Sequence, residues 1–68
     1  MADELANRVR AAREAKGWTQ AELAERIGVS RKTINTIENG IFIPSTVIAL
    51  RLARAFDRKV EQLFSLVD

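Results

Sequence analysis

Residues Thr19 to Gly40 read TQAELAERIGVSRKTINTIENG, and this stretch decides the fold. Thr19-Gln20-Ala21-Glu22 has the form of a capping box: the threonine hydroxyl accepts from the Glu22 backbone N–H, and the Glu22 carboxylate accepts from the Thr19 N–H. Leu23, Ala24 and Ile27 then fall on one face at helical spacing, and Gly28 follows where a helix must turn left-handed to stop. Val29 is the apolar residue of the turn, and Ser30 N-caps the next helix. In that helix Ile34 and Ile37 point inward, while Arg31, Lys32, Thr33, Asn35 and Thr36 point elsewhere.

A helix of roughly nine residues, about 31–39, is not stable alone in water, so the helix before it must prop it. Its other side carries donors and acceptors at the N-terminal end. That suits the DNA major groove, which admits one helix and presents base-edge donors and acceptors. An ordinary helical hairpin with a solvated polar face fits the same spacing.

Outward from this centre, residues 3–16 are expected as helix 1, with Leu5, Val9 and Ala12 on one face, Asp3 and Glu4 in the first turn, and Lys16 in the last. Gly17, Gly28 and Gly40 each follow a predicted helix. Trp18 precedes the Thr19 cap as a core plug. In the loop Gly40–Ser45, Pro44 pushes Ile43 toward extended geometry and Ser45 caps helix 4, residues 46–56. Ala49, Leu52, Ala53 and Phe56 form its inward stripe, broadened by Ile48 and Leu50, with Val47 outside it. Asp57 ends helix 4 without a glycine, and residues 60–66 form helix 5 with Val60, Leu63 and Phe64 apolar. The β-branched residues stand in helical register, so no strands are expected. The class is all-α, a five-helix arrangement in a single domain over 1–68.

Sixty-eight residues bury only a small core, which dimerisation often supports. The chain has no Cys and no His, which removes disulfides, the usual zinc ligands and most nucleophile–base pairs. Neither a metal, a cofactor nor an enzymatic activity is expected. With no signal peptide or long apolar run, a cytoplasmic protein without membrane association is expected. The net charge of +2 is compatible with nucleic acid but does not demand it.

GWTQAELAERIGVSRKTINTIENG, followed by IPS and by ALRLARAF and VEQLF, resembles the Cro/phage-repressor type of helix-turn-helix regulator, also called XRE-like. The resemblance runs from about Leu5 to Phe64. It implies a lambda-repressor-like domain that binds double-stranded DNA, usually as a homodimer on a palindromic operator, and regulates transcription. Arg31, Lys32, Thr33, Asn35 and Thr36 then occupy base-contact positions, Arg31 and Lys32 suiting guanine and Asn35 adenine. Thr19, Gln20, Asn39 and Gly40 occupy phosphate-contact positions, and Arg13 and Glu38 match an ion pair tying helix 1 to helix 3. The loop departs from the pattern: Ile41-Phe42-Ile43 replaces the usual polar residue after the glycine, and Val47 is apolar. Phe42, Ile43, Val47, Leu66 and Val67 are therefore candidates for a dimer interface. An antitoxin, or an adaptor binding a protein through the same loop, is the alternative for this architecture.

Overall fold

The computed structural model describes residues 4–67. Three helices begin where a side-chain hydroxyl takes an orphan backbone N–H. Thr19 caps α2, Gln20–Ile27, through the full capping box, with Glu22 N–H to Thr19 Oγ1 at 3.0 Å and Thr19 N–H to Glu22 Oε1 at 2.9 Å. Ser30 caps α3, Arg31–Glu38, and Ser45 caps α4, Thr46–Phe56. Gly28 ends α2 at φ 74°, left-handed, a conformation that an added Cβ would strain. Asp57 takes the same role after α4 at φ 54° and is the one non-glycine with positive φ among the described residues. The third expected helix stops one residue early, since Asn39 is its C-cap.

The two ends of the chain differ from expectation. Glu4–Asn7 is a strand, β1, and helix α1 spans only Val9–Ala15. Helix α5 covers only Val60–Leu63, and Phe64–Val67 forms a second strand, β2. The strands pair antiparallel, Leu5 opposite Leu66 and Asn7 opposite Phe64, and the Arg8 N–H extends the pairing to the Leu63 carbonyl at 2.8 Å. Asn7 sets the boundary. Its Oδ1 accepts from the Val9 N–H at 3.1 Å, and its Nδ2 donates to the Ile37 carbonyl at 3.0 Å, so α1 starts at Val9. Glu4 is thus not in a helical first turn, and the role expected for Asp3 lies outside the described residues. Local spacing cannot register a pairing between opposite ends of a chain, and there tertiary contact overrides helix propensity.

The core joins Val9 and Ala12 of α1, Leu23, Ala24 and Ile27 of α2, Ile34 and Ile37 of α3, Leu52, Ala53 and Phe56 of α4, and Leu63 and Phe64. Leu5 packs against it from β1 rather than from a helix. Trp18 stacks on Phe56 with ring centroids 5.7 Å apart, and the Arg26 guanidinium lies over the Trp18 ring, 4.1 Å from its centroid. Leu50 departs from the expected inward stripe. It is 56% exposed, because the stripe on α4 closes with Ile48 and Ala49 and leaves Leu50 at its edge.

Candidate nucleic-acid interface

The brace for α3 is α2. The turn between them is held by Gly28 and by the Arg51 Nη1 bond to the Ile27 carbonyl at 3.3 Å. Ile34 and Ile37 are buried, so α3 cannot rotate without exposing them. Arg31, Lys32 and Asn35 are exposed on the opposite side, with Thr33 and Thr36 half-buried beside them. Gln20, Arg31, Lys32 and Asn35 line an open hollow of about 410 Å³ between the start of α2 and the start of α3.

The two threonine hydroxyls of α3 have already used part of their bonding capacity. The Thr33 and Ser30 hydroxyls share a hydrogen bond at 2.9 Å, and the Thr36 hydroxyl donates to the Lys32 and Thr33 carbonyls at 3.1 and 3.0 Å. Thr36 therefore offers outward its methyl group and spare lone pairs, not its proton. The Thr36 carbonyl in turn accepts from the Ile41 and Phe42 N–H groups, which pins the following loop to α3. The Asn39 and Gly40 N–H groups donate to the Asn35 and Ile37 carbonyls, so neither is free to donate elsewhere. Gln20 and Ala21 lie in the first turn of α2, where N–H groups have no partner within the helix.

Behind α3 the Glu38 carboxylate is fully covered and shared by three elements. The Arg13 guanidinium donates to both its oxygens, Nε to Oε2 at 2.7 Å and Nη2 to Oε1 at 3.2 Å, and Arg13 Nη1 reaches the Trp18 carbonyl at 2.8 Å. Gln20 Nε2 and Arg10 Nε also donate to Oε1, at 3.1 and 3.3 Å. Burial alone pushes the Glu38 carboxyl up. The hydrogen bonds from Arg13, Gln20 and Arg10 and the charge of Arg13 outweigh it, and the group sits below the usual carboxylate range. Every buried side-chain polar atom among the described residues has a partner.

Arg13 and Glu38 are thus in contact, and Gln20, Asn35 and Asn39 stand beside them. Arg10 is a residue the sequence reading passed over. Its signal was available: it precedes Arg13 by one helical turn and shares its face. Phe42, Ile43 and Val47 lie apart from the polar side, 42%, 69% and 56% exposed, and Leu66 and Val67 are exposed on β2. Among the described residues no cluster of carboxylates could hold a metal ion, and no helix is long and apolar enough to cross a membrane.

A short helix buried on one side, open on its polar side and propped across a glycine turn by a capped helix defines a helix-turn-helix domain. Comparison with known proteins agrees. The helix-turn-helix family model matches residues 9–63, and the chain belongs to that family, in its Cro/phage-repressor, XRE-like type. It is 39% identical to the HTH-type transcriptional regulator YgzD of Bacillus subtilis, over 94% of this chain and 97% of that one. The restriction-modification controller protein C.AhdI of Aeromonas hydrophila superposes with a TM-score of 0.76 at 36% identity, over 81% of this chain and 83% of that one. A stretch of 36 residues is 47% identical to antitoxin HipB of Escherichia coli K12, 53% of this chain and 41% of that protein. The family is one of DNA-binding transcriptional regulators.

Proposed function

We propose that this chain binds a specific double-stranded DNA operator as a homodimer, with α3 in the major groove, and thereby regulates transcription in the cytoplasm. The observation that carries this is the open polar side of α3 over a buried Ile34–Ile37 face. Arg31 and Lys32 donate to guanine O6 and N7, Asn35 reads adenine, and Thr33 and Thr36 contact neighbouring base edges, Thr36 through its methyl group. Gln20 and Thr19 meet a phosphate at the start of α2, where the dipole favours an anion. Asn39 and Gly40 lie against the sugar-phosphate backbone by close approach, since their N–H groups are already used.

The homodimer is supported by the apolar rim. Ile41, Phe42, Ile43, Val47 and Leu50 are exposed around the start of α4. Next to them Leu5, Pro44, Ala49, Leu50, Val60 and Phe64 line an apolar groove of about 220 Å³. Exposed apolar side chains beside an apolar groove support association. Two-fold pairing there sets the α3 helices about 34 Å apart, one turn of duplex.

Selection of bound sequences from a random duplex pool tests this. An inverted repeat with half-sites one turn apart is the expected result; recovery of no preferred sequence overturns it. The likeness to antitoxin HipB favours a second form, in which the same domain also docks a protein. Affinity for DNA that is weak and insensitive to salt would mark an adaptor, because neutralising phosphates makes affinity fall steeply as salt rises.

A further inference from the structure

Five polar side chains around Glu38 form a closed ring. Glu38 accepts from Gln20 Nε2 at 3.1 Å, Gln20 Oε1 accepts from Asn35 Nδ2 at 3.5 Å, and Asn35 Oδ1 accepts from Asn39 Nδ2 at 3.3 Å. Asn39 Oδ1 then accepts from Arg10 Nη2 at 3.5 Å, and Arg10 Nε returns to Glu38 at 3.3 Å. We propose that Arg10 is a positioning residue for base readout: by closing this ring through Asn39 it holds the Asn35 amide in the orientation that selects adenine. The proposal rests on α3 lying in the major groove, as above.

Only one polarity of the ring is possible. The Glu38 carboxylate can only accept, so Gln20 must turn its NH₂ toward it and its oxygen toward Asn35. Arg10 can only donate, so Asn39 must turn its oxygen toward Arg10. The Asn39 Nδ2 bond to the Asn35 backbone carbonyl, at 2.9 Å, agrees with that orientation and holds one end of the amide, while Arg10 holds the other. Asn35 is thereby oriented from both sides, and it keeps one donor hydrogen on Nδ2 and one lone pair on Oδ1. Adenine presents the complement, an N7 acceptor and an N6–H donor, whereas guanine presents two acceptors and would face the Asn35 oxygen with its own. Arg10 is dispensable for stability, since Arg13 already donates to both Glu38 oxygens and the Arg10 side chain is 55% exposed.

The test compares Arg10→Met, Arg10→Lys, Asn35→Ala and the double variant Arg10→Met/Asn35→Ala. Each is titrated against the duplex selected by the unaltered chain and its single-base substitutions, at two salt concentrations. Asn35→Ala is expected to abolish preference at one A·T pair, a loss of between about fivefold and about a hundredfold in discrimination. Arg10→Met and Arg10→Lys are expected to reduce preference at that same pair by about threefold or more, within the range of couplings between contacting residues. Arg10→Met adds no further loss of discrimination when Asn35 is already Ala. Melting temperatures of the Arg10 variants stay close to the unaltered chain.

If Arg10→Met instead weakens every duplex equally and flattens the salt dependence, Arg10 is only a phosphate contact and the proposal is overturned. It is also overturned if Asn35→Ala leaves all preferences intact while Arg31→Ala shifts one, and in that case α3 still reads the groove. If no base substitution affects binding of the unaltered chain, the groove reading falls and this proposal with it.

Discussion

The polar side of α3 and the apolar rim at the start of α4 are both open to solvent, but they are finished to different degrees. Around Asn35 the side chains are tied to one another and to Glu38 before any ligand arrives. Around Ile41, Ile43 and Val47 the surface is simply apolar, with exposures of 76%, 69% and 56%. Polar recognition gains from order set in advance, because a side chain already held in place loses little freedom on contact. An apolar surface gains only when something covers it, so its exposure points to association. The difference teaches that exposure alone does not mark a recognition surface; the bonding state of what is exposed does.

The largest expected effect breaks the polar side from beneath. Arg13→Ala removes the 2.7 Å partner of a fully covered carboxylate and should lower the unfolding free energy by about 3 kcal/mol, read from urea denaturation. An unchanged midpoint would mean the pair contributes nothing. Next, Arg31→Ala should cost about 2 kcal/mol and relax preference at a single base pair, seen by titrating a panel of substituted operators. On the apolar side, Val47→Lys should weaken self-association by at least about tenfold, about 1.4 kcal/mol, in sedimentation experiments. The same change should leave stability of the monomer within about 0.5 kcal/mol. An unaltered chain that stays monomeric at high micromolar concentration removes the rim as an interface. Ser30→Ala should cost about 1 kcal/mol by freeing the Thr33 N–H at the start of α3, with no change in self-association.

The smallest effect is set by pH. Glu38 is lowered in the folded chain, so its contribution is fully present above the ordinary carboxylate range and is lost as pH falls through the lowered folded value. The stability gap between the unaltered chain and Glu38→Gln should therefore close on acidification below that range. A gap independent of pH, measured by urea midpoints across a pH series, would show that Glu38 titrates alike in both states.

Much of the architecture was legible because its signals are local. The Thr19–Glu22 box, the Ser30 and Ser45 caps, the left-handed Gly28 and Asp57, and the inward Ile34 and Ile37 all depend on neighbours within a turn or two. Arg13 and Glu38 were legible through family likeness, and the structure puts them at 2.7 Å. Arg10 was missed although it stands one turn from Arg13, because a surface arginine on a helix has many uses and only the position of Asn39 assigns one. Leu50 was misplaced because helical spacing defines a stripe but not its width; the neighbouring elements decide where burial stops.

Short-range chemistry, then, was enough for where helices α2, α3 and α4 start, for where α2 and α4 stop and for which side of α3 is apolar, since caps, turns and periodicity act over a few residues. The strands at the two ends and the closed polar ring depend on residues far apart in the chain meeting in space. Leu5 pairs with Leu66, and Gln20 reaches both Asn35 and Glu38. Such contacts join residues far apart in the sequence and bring no local pattern with them, so only the packed molecule discloses them.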